Sequence, residues 1–188
     1  MLERALMIST LALPLLAAPV AAQYPVARID SVFSQWNRTD SPGCLLGVRD
    51  RDREPLLRAY GMANLEYATP LTPESISESG SVAKQFTAAT VALLAVRGRL
   101  SLDDDIRKYL PEVPDFGKTI TIRHILTHTS GLRDQWALLG LIGRPPGSEV
   151  HTVDQILYLV SRQRRLNFDP GSAYLYSNTG YVLAGIIV

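Results

Sequence analysis

The sequence predicts an α+β domain, on three observations. Two short apolar runs, Cys44–Val48 and residues 56–62, flank the polar hexapeptide Arg49-Asp50-Arg51-Asp52-Arg53-Glu54, which is the pattern of a β-hairpin. Beyond residue 80 the apolar residues recur at helical spacing, with capping residues at several starts. Strands therefore come first and helices after, without the alternation that builds a parallel sheet. The composition is that of an ordinary globular protein, with 188 residues, 46% hydrophobic and 20% charged. A formal charge of +1 leaves no basic footprint for nucleic acid. The single cysteine of this sequence, Cys44, excludes an intramolecular disulfide and a multi-cysteine metal cluster. It sits among Gly43, Leu45, Leu46 and Gly47 with no adjacent basic residue, so it reads as a small buried hydrophobe and not as a nucleophile.

The elements follow in order. Residues 5–22 form a largely apolar run ending in Val20-Ala21-Ala22, the small residues that a signal peptidase needs. Residues 1–22 are therefore expected to be a signal peptide, with the mature chain beginning at Gln23. The competing reading is an uncleaved membrane anchor, since 18 residues reach the spanning threshold. Pro14 and Pro19 interrupt the run and no basic stop-transfer cluster follows, so no stable anchor is expected. Residues 27–36 place Ile29, Val32, Phe33 and Trp36 on one face of a short helix. The hairpin comes next, then a polar, proline-punctuated loop over 69–79. Residues 81–96 carry one ionisable side chain, Lys84, among apolar neighbours, which predicts a helix buried on most faces. Gly98 ends it. Ser101-Leu102-Asp103-Asp104 resembles a capping start for a short helix stopped at Leu110-Pro111, and 121–128 predicts another, closed by Ser130-Gly131. Thr152-Val153-Asp154-Gln155 has capping-box spacing ahead of Ile156, Leu157 and Val160. Arg162-Gln163-Arg164-Arg165 reads as the solvated end of that helix. The chain stops inside the apolar segment 180–188, which reads as a truncation.

Two places could carry chemistry. Ser81 and Lys84 stand three apart and project from one helical face. A lysine without an acidic neighbour on an apolar helix is pushed toward its proton-accepting form. A serine at a helix start lies where backbone N–H groups favour a developing negative charge. The bland alternative is that Ser81 caps the helix and Lys84 reaches to solvent. Tyr176-Ser177-Asn178 is a polar island after the turn Asp169-Pro170-Gly171. A tyrosine near a lysine can share its proton, and a carboxamide can hold a substrate amide. Alone, the same tripeptide reads as a packing tyrosine and a chain-turning asparagine.

Together, Ser81-Val82-Ala83-Lys84 and Tyr176-Ser177-Asn178 resemble the penicillin-recognising serine hydrolases, a group that includes class C β-lactamases, D-Ala-D-Ala carboxypeptidases and related esterases. Further segments match the same family: Gly98-Arg99-Leu100-Ser101-Leu102-Asp103-Asp104, Leu110-Pro111, Ile125-Leu126-Thr127-His128-Thr129-Ser130-Gly131-Leu132, Phe168-Asp169-Pro170-Gly171 and Asn178-Thr179-Gly180-Tyr181. The resemblance implies a β-lactamase/transpeptidase-like fold, an antiparallel sheet flanked by helices with a helical subdomain around 100–165. It makes Ser81 the acylated nucleophile, Lys84 its base partner, Tyr176 the general acid/base and Asn178 the residue that positions the substrate amide. It implies an enzyme without cofactor or metal for a β-lactam, a D-Ala-D-Ala peptide or an ester, and the signal peptide read at residues 1–22 makes that enzyme secreted or periplasmic. Tyr-Ser-Asn stands where class C β-lactamases usually have Tyr-Ala-Asn, which leans toward the peptidases and esterases. The family's third motif, Lys-Thr-Gly or His-x-Gly on a strand that donates the second oxyanion N–H, belongs downstream of Val188. Residues 23–188 are thus expected to be a hydrolase domain lacking its C-terminal strands, poorly soluble and essentially inactive alone.

Three rivals stand beside that reading. His124 and His128, four apart, have a metal-chelating spacing, but no Glu follows His124 and the remaining histidine is His151; the resemblance makes His128 structural. A Ser-His-Asp hydrolase would need a G-x-S-x-G elbow, absent from this sequence. The third is a non-catalytic remnant that binds peptidoglycan stem peptides.

Overall fold

The computed structural model describes residues 24–188 apart from Asp52, so the leader read at residues 1–22 lies outside the described residues. The chain divides into two units, Met1–Glu78 and Ser79–Val188.

In the first unit, helix α1 (Val26–Phe33) starts directly after Pro25, whose missing N–H costs nothing at a helix start, and runs on into a 3-10 turn over Ser34–Trp36. The expected helix is there, but its inward face differs from the spacing. Val32 is 64% exposed. Phe33 instead stacks on Tyr60 at 4.9 Å, and the Tyr60 hydroxyl donates to Asp30 Oδ1 at 2.7 Å. This bond turns the Asp30 and Phe33 side of the helix inward, which apolar periodicity could not foresee. Strands β1 (Cys44–Val48) and β2 (Leu56–Tyr60) pair antiparallel, with Cys44 opposite Tyr60 and Val48 opposite Leu56. The second apolar run is not one strand as expected. Gly61, at φ +72°, breaks it, and Met62 opens β3 (Met62–Asn64). Its partner β4 (Thr69–Pro70) lies in the segment expected to be loop, brought back by a turn in which Tyr67 N donates to Asn64 Oδ1.

The second unit is helical. A 3-10 turn over Gly80–Ala83 leads into α2 (Lys84–Val96), followed by α3 (Ile122–Leu126), α4 (Gln135–Leu141), α5 (Val153–Ser161) and α6 (Asn178–Ile187). Its core joins Val91, Ile106, Ile122, Ile125, Val160 and Leu183. Two expectations need correcting. Helix α2 is not buried on most faces: Val91 is fully buried, whereas Phe86 is 68% and Val96 85% exposed, because the helix packs on α6 along one side. Nor does Ser101 cap a helix. Asp104 folds back to accept from Ser101 N and from the Tyr109 hydroxyl, at 2.8 and 2.6 Å. Those bonds, the Tyr109 one foremost, hold its carboxyl down at about 2. The helical turn begins later, as a 3-10 segment over Ile106–Lys108 capped by Asp105.

Helix α5 matches its sequence signature, with the Thr152 hydroxyl accepting from Gln155 N and the Gln155 side chain accepting from Thr152 N. Thr152→Ala removes half of that box. It should lower unfolding stability by about 1 kcal/mol in a denaturant titration, and an unchanged midpoint would show that packing alone holds α5.

Candidate active site

Ser81 lies in the 3-10 turn that precedes α2 and Lys84 is the first residue of α2, so one turn of backbone aligns the two. Lys84 Nζ donates to Ser81 Oγ at 3.1 Å and to Asn178 Oδ1 at 2.9 Å. Ser81 is therefore not acting as a cap. Its hydroxyl is exposed and sits 2.6 Å from the Tyr176 hydroxyl. The first turn of a helical segment also leaves backbone N–H groups without internal acceptors, the geometry of an oxyanion donor.

Tyr176 and Asn178 come from 95 and 94 residues away, and a seam of backbone bonds delivers them. Gly171 N donates to Thr129 O, Asn167 N to Gly131 O and Leu175 N to His128 O, at 2.8 to 2.9 Å. Gly131 is required there. Its φ is +73°, and a Cβ would lie 2.2 Å from the Phe168 carbonyl oxygen. His128, itself at φ +58°, accepts from Ser177 N through Nδ1 at 3.1 Å, and its ring lies 4.4 Å from that of Tyr176. Asn178 then starts α6, and its N and Nδ2 both donate to Asp134 Oδ2, at 2.5 and 3.0 Å.

The electrostatics centre on the phenol. The Lys84 ammonium beside it, and then the Ser81 hydroxyl, hold Tyr176 below its ordinary pKa, while partial burial and the Asp134 charge oppose them. Burial, and secondly the Lys84 charge, push His128 down, so its ring stays neutral. Lys84 itself is half-buried and has two hydrogen-bond acceptors, so it is not the isolated amine that its apolar neighbours suggested. Beside Tyr176 and Asn178 lies an open hollow of about 480 Å³, whose wall includes Asp134, Leu138, Leu141 and Leu175.

The four residues singled out from sequence, Ser81, Lys84, Tyr176 and Asn178, thus meet in one place. Asp134 and the backbone-holding role of His128 were not singled out. Asp134 was open to reading as an N-cap, since it precedes the apolar run of α4, and its Oδ1 does accept from Trp136 N and Ala137 N. His124 and His128 each spend Nδ1 on a backbone N–H. Among the described residues no group of three or more His, Cys, Asp or Glu is placed to hold a metal ion. Cys44 is half-buried in β1.

Ser81 thus lies in hydrogen-bond reach of both a lysine and a tyrosine, an arrangement that can make a hydroxyl more nucleophilic. The Beta-lactamase family model matches residues 29–188, and the chain belongs to that family. It is 36% identical over 132 residues to a penicillin-binding protein of Bacillus subtilis, covering 69% of this chain and 28% of the relative. It is 33% identical over 178 residues to esterase EstB of Burkholderia gladioli, covering 86% of this chain and 44% of the relative. The D-amino acid amidase of Ochrobactrum anthropi SV3, solved with L-phenylalanine amide, superposes with a TM-score of 0.71 at 27% identity, over 86% of this chain and 44% of that one. The chain therefore spans less than half the length of each.

Proposed function

We propose that the protein is an exported serine hydrolase that works through an acyl-enzyme on Ser81, on D-amino-acid amides or peptides, esters or β-lactams. The observation that carries this reading is the 2.6 Å contact between Ser81 Oγ and the Tyr176 oxygen beside the Lys84 ammonium. Tyr176, its pKa lowered by Lys84, takes the Ser81 proton as Oγ bonds to the substrate carbonyl carbon. The carbonyl electron pair moves to oxygen, where the Ser81 N–H stabilises it. Collapse breaks the bond to the leaving amine or alcohol, which receives the proton from Tyr176. Water then attacks the ester by the same route and restores the Ser81 hydroxyl. Lys84 is anchored by Asn178, whose second amide hydrogen is available to the carbonyl of a substrate amide.

The substrate range is supported by what the relatives are: a penicillin-binding protein, an esterase and a D-amino acid amidase. Export is supported by the apolar run and small-residue junction of residues 5–22. Both parts are tested on the full-length protein expressed with its leader. Exported material should begin at Gln23, and penicillin or a fluorophosphonate should leave its adduct on the peptide containing Ser81. An adduct on another residue would overturn the assignment. Saturable binding of a D-Ala-D-Ala peptide with no adduct would point to a non-catalytic binding module.

A further inference from the structure

We propose that Asp134 is a positioning residue of this site, one that sets which way the Asn178 amide faces and thereby where the Lys84 ammonium rests. The inference builds on the hydrolase reading above. Asp134 Oδ2 accepts from Asn178 N and Nδ2, and Oδ1 accepts from Trp136 N and Ala137 N. A carboxylate has about four lone-pair sites, and here all four face N–H donors of the protein. Asn178 is thus held between an anion that can only accept and, on its other side, an ammonium that can only donate. With Nδ2 toward Asp134 and Oδ1 toward Lys84, both contacts are attractive. Turned over, the amide would set oxygen against carboxylate and NH2 against ammonium, and both would repel.

The consequence reaches the nucleophile through Lys84. Its ammonium has two hydrogen-bond acceptors, Asn178 Oδ1 and Ser81 Oγ, and lies 5.0 Å from the centre of the Tyr176 ring. Losing the first acceptor frees the ammonium to leave the second. Asp134 makes no hydrogen bond to Ser81, Lys84 or Tyr176; apart from the charge it sets near Tyr176, it reaches them through Asn178. The same carboxylate caps α4, whose Leu138 and Leu141 line the hollow beside Asn178. One side chain therefore ties the start of α4 to the start of α6.

The isosteric change Asp134→Asn separates capping from positioning. Asparagine caps a helix as well as aspartate, so its oxygen keeps Trp136 N and Ala137 N. Its NH2 then confronts two donors on Asn178, and the amide is driven over. Asp134→Ser also caps α4 but is too short to reach Asn178. In the full-length protein, stopped-flow acylation of Ser81 by p-nitrophenyl acetate should slow by about 10- to 100-fold in both variants, the scale of a catalytic group displaced by about an ångström. The ester concentration at half-saturation should barely move, because this substrate offers Asn178 no amide to hold. The melting temperature should fall by no more than a few degrees. Wild-type acylation rates in both variants, or a rate loss that follows melting and appears equally in half-saturation, would reduce Asp134 to a helix cap. A wild-type protein that is never acylated would bring down the hydrolase reading itself.

Discussion

Ser81→Ala is expected to abolish covalent labelling and to lower turnover by roughly six orders of magnitude, the scale seen when a serine nucleophile is removed. The expectation rests on exposure as much as on chemistry. The Ser81 hydroxyl lies on the surface of the second unit, with Tyr176 and Lys84 as its hydrogen-bond partners. Deleting it opens no cavity, so stability should change by no more than about 0.5 kcal/mol. The variant is thus a folded protein without a nucleophile, checked by thermal melting alongside fluorophosphonate labelling. Labelling that survives in a cooperatively melting Ser81→Ala protein would place the nucleophile elsewhere.

The second large effect concerns the base. Tyr176→Phe and Lys84→Ala should each slow acylation by about 100- to 10,000-fold, and they should differ in their pH profiles. An acid is a base only above its pKa, so the rising limb of acylation against pH reports the phenol. Lys84 is the first cause holding that phenol below its ordinary value. In Lys84→Ala the phenol returns upward, and the rising limb should move to higher pH. In Tyr176→Phe the ring keeps its place against His128, 4.4 Å away, but the limb itself should vanish. A limb that stays in place in Lys84→Ala would transfer the base role away from the pair.

Much of this site was legible because two short motifs, each open to a bland reading alone, together resemble those of one family. Ser81 and Lys84 meet across three residues, and Tyr176 and Asn178 across two, distances that local backbone geometry decides. The capping box of α5 and the pairing of β1 with β2 belong to the same kind, since a Thr152–Gln155 pair or a turn between two apolar runs needs no distant partner.

What the sequence could not decide depended on residues far apart. Val32 fits the helical spacing of α1, yet it faces solvent because Tyr60, thirty residues from Asp30, claims the other side. Helix α2 is largely apolar, but burial requires a neighbour on each face, and it packs mainly on α6. Gly131 and His128 carry no signal of their use until residues 166–177 are laid against them.

The sequence by itself, through its likeness to one family, singled out a serine, a lysine, a tyrosine and an asparagine in two short motifs. Only the tertiary structure decided that the motifs meet across 94 residues, with 2.9 Å between Lys84 and Asn178. It alone set Asp134 behind the asparagine. The physical reason lies in the range of the forces. Propensity and capping act within one turn of chain, whereas the direction of an amide and the pKa of a phenol depend on charges brought close by folding, whatever their separation in sequence.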